Sequence, residues 1–143
     1  MYRPGLPLIE FDAERVRRIL RSVNILIMNQ QGWEAIKRSS DSTPASLTKL
    51  GPDIVIVTEG IEGCTVYTKD ESYTMPAYKV RVVDTTGAGD AFAAGLIAAL
   101  LEEKSLRECA RYALAVSAIS VTKKGARNGL PTRSEVEDSL KRG

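Results

Sequence analysis

Asp53-Ile-Val-Ile-Val-Thr58 sets four β-branched apolar residues in a row between two polar ones. Successive side chains of a strand point to opposite faces, so an unbroken apolar run of this length needs cover on both. Helices lying over the two faces of a parallel sheet supply it. The flanking segments agree with that demand. Upstream, Val23 to Met28 is a second apolar, β-branched run of strand length. Before it, Asp12 stands at an N-cap position, and Val16, Ile19 and Leu20 then recur at helical spacing. Arg15, Arg17, Arg18 and Arg21 make the other side of that first helix, a solvated face with phosphate binding as the alternative. Trp33 to Arg38 reads as a helical turn, and Ser42-Thr43-Pro44 gives a cap and an N1 proline to a short helix ending at Gly51.

Downstream, Glu59 to Gly63 turns the chain, and Cys64–Tyr67 with Ser72–Met75 reads as a hairpin around Lys69-Asp70-Glu71, closed by Pro76. Lys79 to Val83 alternates polar and apolar residues and predicts a further strand. Asp90 to Leu101 is a small-residue apolar helix, and Ser105-Leu-Arg-Glu108 is a capping box opening another that runs to about Thr122. Both helices read as largely buried. A second box, Thr132-Arg-Ser-Glu135, begins a short terminal helix. The expected architecture is an α/β layered sheet with one antiparallel hairpin, and the absence of repeats and low-complexity linkers predicts a single domain over residues 1–143.

Composition narrows the chemistry. The chain has no histidine, which excludes Ser-His-Asp and Cys-His catalysis and imidazole metal sites. Twenty Lys and Arg against eighteen Asp and Glu leave a formal charge of +2, too small to indicate a nucleic-acid or membrane-surface partner, so any anion site must be local. Cys64 and Cys109 fall in a predicted strand and a predicted helix and read as reduced core residues of a reducing compartment. Charged residues from Arg3 to Arg15 leave no apolar signal-peptide core, and the run Ala91–Leu101 is shorter than the roughly 18 residues of a membrane span. A cytoplasmic protein is expected.

The decisive segment is Asp84-Thr-Thr-Gly-Ala-Gly-Asp90, leading directly into a helix. About four N–H groups at a helix start lack intrahelical acceptors, and the helix dipole adds positive charge there. Gly87 and Gly89 have no Cβ and Ala88 a minimal one, so an anion could approach these amides closely. Asp90 then stands where a carboxylate could take a proton from a hydroxyl attacking phosphorus. Carboxylates are weak bases, with a free-aspartate pKa of about 3.9. That weakness is tolerable in phosphoryl transfer, which depends mainly on alignment and charge neutralisation. The structural alternative is a tight glycine turn with Asp90 complementing the dipole. A dinucleotide fingerprint fails because Phe92 stands where its third glycine belongs, and a Walker A loop fails because the segment ends in Gly-Asp.

Val83-Asp-Thr-Thr-Gly-Ala-Gly-Asp-Ala-Phe92 resembles the C-terminal signature of the ribokinase-like (PfkB) carbohydrate kinases, which pass the γ-phosphoryl group of ATP to a sugar or similar alcohol. Asn29 after a strand, Val57-Thr-Glu-Gly60 with Gly63 beyond, Ser120-Val-Thr-Lys-Lys-Gly-Ala126, and Pro131 before Glu135-Val136 resemble the same family in the same order, over nearly the whole chain. The resemblance implies the C-terminal half of a three-layer ribokinase-like sheet with flanking helices. It makes Asp90 the catalytic base, the Gly87, Ala88 and Gly89 amides the anion hole, and Asn29, Thr58, Gly60 and Gly63 the nucleotide-phosphate residues. Mg²⁺ would come with ATP. In members that bind a monovalent cation such as K⁺, positions matching Asp84 and Thr86 are ligands, with carbonyls near Ser120 and Gly125. Adenine would sit between the loop before the signature helix and the Ala113–Ser120 helix, where Tyr112, Leu114 and Val116 are equally well explained as core.

Two departures stand out. The family pattern Asn-x-x-Glu reads Asn29-x-x-Gly32 here, and Thr-Leu-Gly reads Thr58-Glu59-Gly60. Tyr2-Arg3-Pro4 resembles the middle of these kinases, so the resemblance implies a nucleotide-binding, catalytic portion without the N-terminal sugar-binding and lid portion. The acceptor would then be a sugar or sugar-like alcohol, reached in a homodimer or with a completing chain. The alternative is a non-catalytic nucleotide-binding or interaction module derived from such a kinase.

Overall fold

A computed structural model describes residues 1, 13–39 and 42–142. Asp12 and Tyr2-Arg3-Pro4 lie outside the described residues. Backbone proximity separates the chain into two compact units, residues 1–60 with 64–74, and residues 61–63 with 75–143.

The first unit contains helix α1 (Ala13–Leu20), strand β1 (Ile25–Asn29), α2 (Gln30–Ser39), α3 (Pro44–Leu47), β2 (Ile54–Thr58), β3 (Cys64–Tyr67) and β4 (Ser72–Met75). The sheet runs β1-β2-β3-β4, with β1 parallel to β2 and β3 antiparallel to it. It is therefore a mixed sheet of four strands flanked by helices. The central residues of β2 are buried, and Ile25↔Ile54 through Asn29↔Thr58 sets the parallel register. Val16 and Leu20 of α1, Ile36 of α2 and Leu47 of α3 close on Leu26, Met28, Val55 and Val57. Thr43 caps α3 through a reciprocal pair with Ser46, and the helix stops at Leu47, short of Gly51. The helix after β1 is longer than the predicted turn because Gln30 to Gly32 join it, with the Asn29 side chain covering a first-turn amide.

The second unit is helical: α4 (Ala88–Leu101), α5 (Leu106–Ser120) and α6 (Arg133–Arg142). Ser105 with Glu108 and Thr132 with Glu135 form the predicted reciprocal caps of α5 and α6. Helices α4 and α5 pack closely because Gly95 lacks a side chain: a Cβ there would come within 2.9 Å of Val116 Cγ2 and 3.0 Å of Ala113 Cα. Val116 is thus a packing residue. α5 is mostly buried as expected, whereas α4 leaves Ile97 and Leu101 exposed, so the reading of α4 as buried holds for one face only. Cys64 and Cys109 are free and buried.

Lys79 to Val83 is not a strand. Its alternation satisfies the side-chain period, but a strand also needs a ladder partner, and none pairs with it among the described residues. Val80, Val82 and Val83 stay exposed, and the Val83 and Asp84 N–H groups both donate to the Val121 carbonyl, at 2.7 and 3.1 Å. That anchor fixes where the signature loop begins. No described helix is long and apolar enough to cross a membrane.

Candidate functional site

Asp84 organises the signature loop. One carboxylate oxygen accepts the Thr86 N–H at 2.9 Å and the other the Gly125 N–H at 2.8 Å. Hydrogen bonding from the Thr86 side chain, then from the Thr86 and Gly125 backbone, holds the Asp84 carboxyl down to about 2. Sequence positions 41 residues apart are thereby brought together, which places Gly125 beside Asp84.

The start of α4 is set by sterics as well. Gly87 is its N-cap at φ 80°, a left-handed conformation that glycine adopts without penalty. A Cβ on Gly87 would lie 2.7 Å from the Ala126 Cβ, so the loop of residues 84–87 and the turn at 125–126 press together. The helix begins at Ala88, two residues before the predicted start, and Gly89 and Asp90 therefore lie inside its first turn. Ser117 of α5 donates from its hydroxyl to the Ala88 carbonyl at 3.1 Å and ties this turn to the neighbouring helix.

Of the three predicted anion-hole amides, Ala88 N–H already donates to the Thr85 carbonyl at 3.1 Å. Gly87 and Gly89 are the two whose N–H groups have no hydrogen bond among the described residues. Asp90, at the third helical position, is exposed.

In the sheet unit, Asn29 and Thr58 are register partners at the carboxyl ends of the parallel pair β1 and β2. Ligands of open α/β sheets bind at such strand ends. Asn29 Oδ1 accepts the Gly32 N–H at 2.8 Å, and Thr58 Oγ1 donates to the Met28 carbonyl at 3.4 Å. Gly32 would accept a side chain with small adjustments, its Cβ standing 3.3 Å from Asn29 Oδ1 and Met28 Cβ. Gly60 has φ 62° with open space around it. Gly63, in the other unit, has φ 106°, and its Cβ would fall 2.0 Å from the Met75 carbonyl oxygen. Only glycine fits there.

The helical unit also carries a cleft of about 390 Å³, lined by residues 75–79 together with Arg111 and Leu114. It lies between the segment before the signature loop and α5. Arg111 Nε donates to the Tyr78 hydroxyl at 3.1 Å, and its Nη2 donates to the Leu140 carbonyl at 3.1 Å. The sequence reading did not single out Ser117, Tyr78 or Arg111. Ser117 carried the one available signal, a small polar residue inside an apolar helix. No cluster of three or more His, Cys, Asp or Glu able to hold a metal occurs among the described residues.

Residues 6–133 match the profile of the pfkB family carbohydrate kinases. The chain belongs to this family. An uncharacterized sugar kinase of Archaeoglobus fulgidus is 37% identical over 131 residues, covering 91% of this chain and 52% of that protein. The crystal structure of Methanocaldococcus jannaschii nucleoside kinase, an archaeal member of the ribokinase family, superposes with a TM-score of 0.93 at 30% identity, over 99% of this chain and 47% of that one. Arabidopsis thaliana ribokinase, complexed with ribose and ATP, superposes with a TM-score of 0.79 at 33% identity, over 87% and 43%. This pfkB chain thus spans about half the length of the relatives it matches.

Proposed function

We propose that this chain is the nucleotide-binding and proton-accepting portion of an ATP-dependent kinase for a sugar or related alcohol. The observation that carries the reading is the start of α4, where a glycine N-cap at positive φ, wedged against Ala126, is followed by Gly89 and Asp90 in the first turn. Oriented amides and the helix dipole at that point suit the charge of a transferring phosphoryl group. The amides of Gly87 and Gly89 would take it directly, while Ala88 would serve by its small size unless its bond to Thr85 opened.

In the transfer, the acceptor hydroxyl oxygen bonds to the γ-phosphorus of ATP, the bond from that phosphorus to the bridging oxygen of ADP breaks, and the hydroxyl proton passes to the Asp90 carboxylate. Asn29, Thr58, Gly60 and Gly63 are assigned to the nucleotide phosphates. The base is assigned to the cleft of residues 75–79, Arg111 and Leu114, whose volume suits a small ligand. Mg²⁺ would arrive with ATP and keep waters of its own.

A K⁺ site at Asp84, Thr86 and Gly125 fits hard-cation chemistry, because an ionised carboxylate offers oxygen ligands where Thr86 and Gly125 are gathered around it. Acceptor recognition is assigned to a second copy of this chain or to a completing chain, the partners that the resemblance implies.

Calorimetric titration of the folded chain with ATP and Mg²⁺, with NAD as control, tests the reading. Gly89→Asp keeps a carboxylate at a helix start, which suits the dipole, but repels phosphate. ATP binding that this variant abolishes is expected. A folded chain that ignores ATP would give the interaction-module reading first place. In the assembly that phosphorylates, Asp90→Asn should lower the rate roughly 10²–10⁴-fold. An unchanged rate removes Asp90 from its role.

A further inference from the structure

We infer that the base cleft of the helical unit takes a 6-oxopurine triphosphate, GTP or ITP, at least as well as ATP. This rests on the reading above that the cleft holds the nucleotide base. Its walls at Met75, Pro76, Ala77 and Leu114 are apolar and offer a base only stacking surface. The polar side chains that line it are Tyr78, Lys79 and Arg111. All three present donors. A guanidinium carries five N–H groups and no acceptor, and an ammonium three. Arg111 commits N–H groups to the Tyr78 hydroxyl and the Leu140 carbonyl, which fixes its plane and leaves the rest available. Because the Tyr78 oxygen accepts from Arg111, its own proton is left to donate.

No carboxylate or side-chain amide stands among the described residues of the lining. A 6-oxopurine shows acceptors at O6 and N7, the pair that Arg and Lys read, whereas adenine replaces O6 with a donating amino group, which Asn or Gln would read. Lys79 and Arg111 only donate, and the Tyr78 oxygen already accepts from Arg111, so the lining matches O6 better than N6. Adenine shares the N7 acceptor and turns only its N6 amino group to backbone carbonyls or water, so ATP is tolerated rather than excluded.

Titrations of the full chain with the Mg²⁺ complexes of ATP, GTP and ITP decide the matter. ITP isolates O6, since it lacks the guanine 2-amino group. Dissociation constants for GTP and ITP equal to that of ATP or up to about tenfold lower are expected. Arg111→Met should weaken both by about fivefold and ATP by less than about twofold. Lys79→Met, at an exposed residue, should weaken them in the same sense. ATP bound measurably tighter than both others overturns this inference and leaves the kinase reading standing. Variants that weaken all three nucleotides alike also overturn it. A folded chain that binds none of them overturns both.

Discussion

The turn after β2 and the signature loop both depend on glycines at positive φ, but they are held by different forces. Around Gly63 the constraint is backbone crowding alone, with the Met75 carbonyl where a Cβ would stand. The signature loop adds a charge to a steric fit: Gly87 wedges against Ala126, and the Asp84 carboxylate gathers two amides from Thr86 and Gly125. One turn is fixed by shape and should be indifferent to pH. The other is fixed by shape and an ionised group, and should loosen in acid.

Gly63→Ala offers the largest effect with which to break this contrast. Positive φ and a clash with a carbonyl oxygen together should cost about 3 kcal/mol or more in denaturant unfolding. A loss below about 1 kcal/mol would mean that the turn is not held as described. Gly87→Ala should cost about 1–3 kcal/mol. Adding Ala126→Gly should return part of it, because the second change removes the opposing methyl but leaves the strained φ. Purely additive losses would separate the two residues energetically.

Acid sharpens the electrostatic side. The Asp84 carboxyl is depressed when folded, so its stabilisation is present above the unfolded value of about 3.9 and is lost as pH falls through about 2. Protection of the Thr86 and Gly125 amides against exchange should fade across that window, and Asp84→Asn should remove this pH dependence. Protection at Gly63 should not change with pH there. The smallest effect is expected of Gly60→Ala, about 1 kcal/mol, since only its φ of 62° resists a side chain in open space.

Much of the fold was legible along the chain, because its determinants are local. The hairpin Cys64–Tyr67 with Ser72–Met75 and the caps at Thr43, Ser105 and Thr132 follow from a few adjacent residues. The candidate strand Lys79–Val83 failed because a ladder needs a second chain segment, and alternation cannot supply one. The bare side of α4 was missed for a related reason: an apolar helix announces that it can be buried, and only its neighbours decide how much of it is.

The site divides along the same line. A glycine-rich turn opening a helix, with Asp90 in its first turn, is legible in the residues alone, since Cβ-free residues and a dipole are properties of a short segment. The residues also carry the signature by which the family is known. Packing alone brings Gly125 and Ala126 onto Asp84 and Gly87, ties Ala88 to Ser117, and sets Tyr78 and Arg111 beside one cleft. Those pairings join residues from 29 to 41 positions apart, at distances fixed by how helices and loops pack rather than by what adjoins them in the chain.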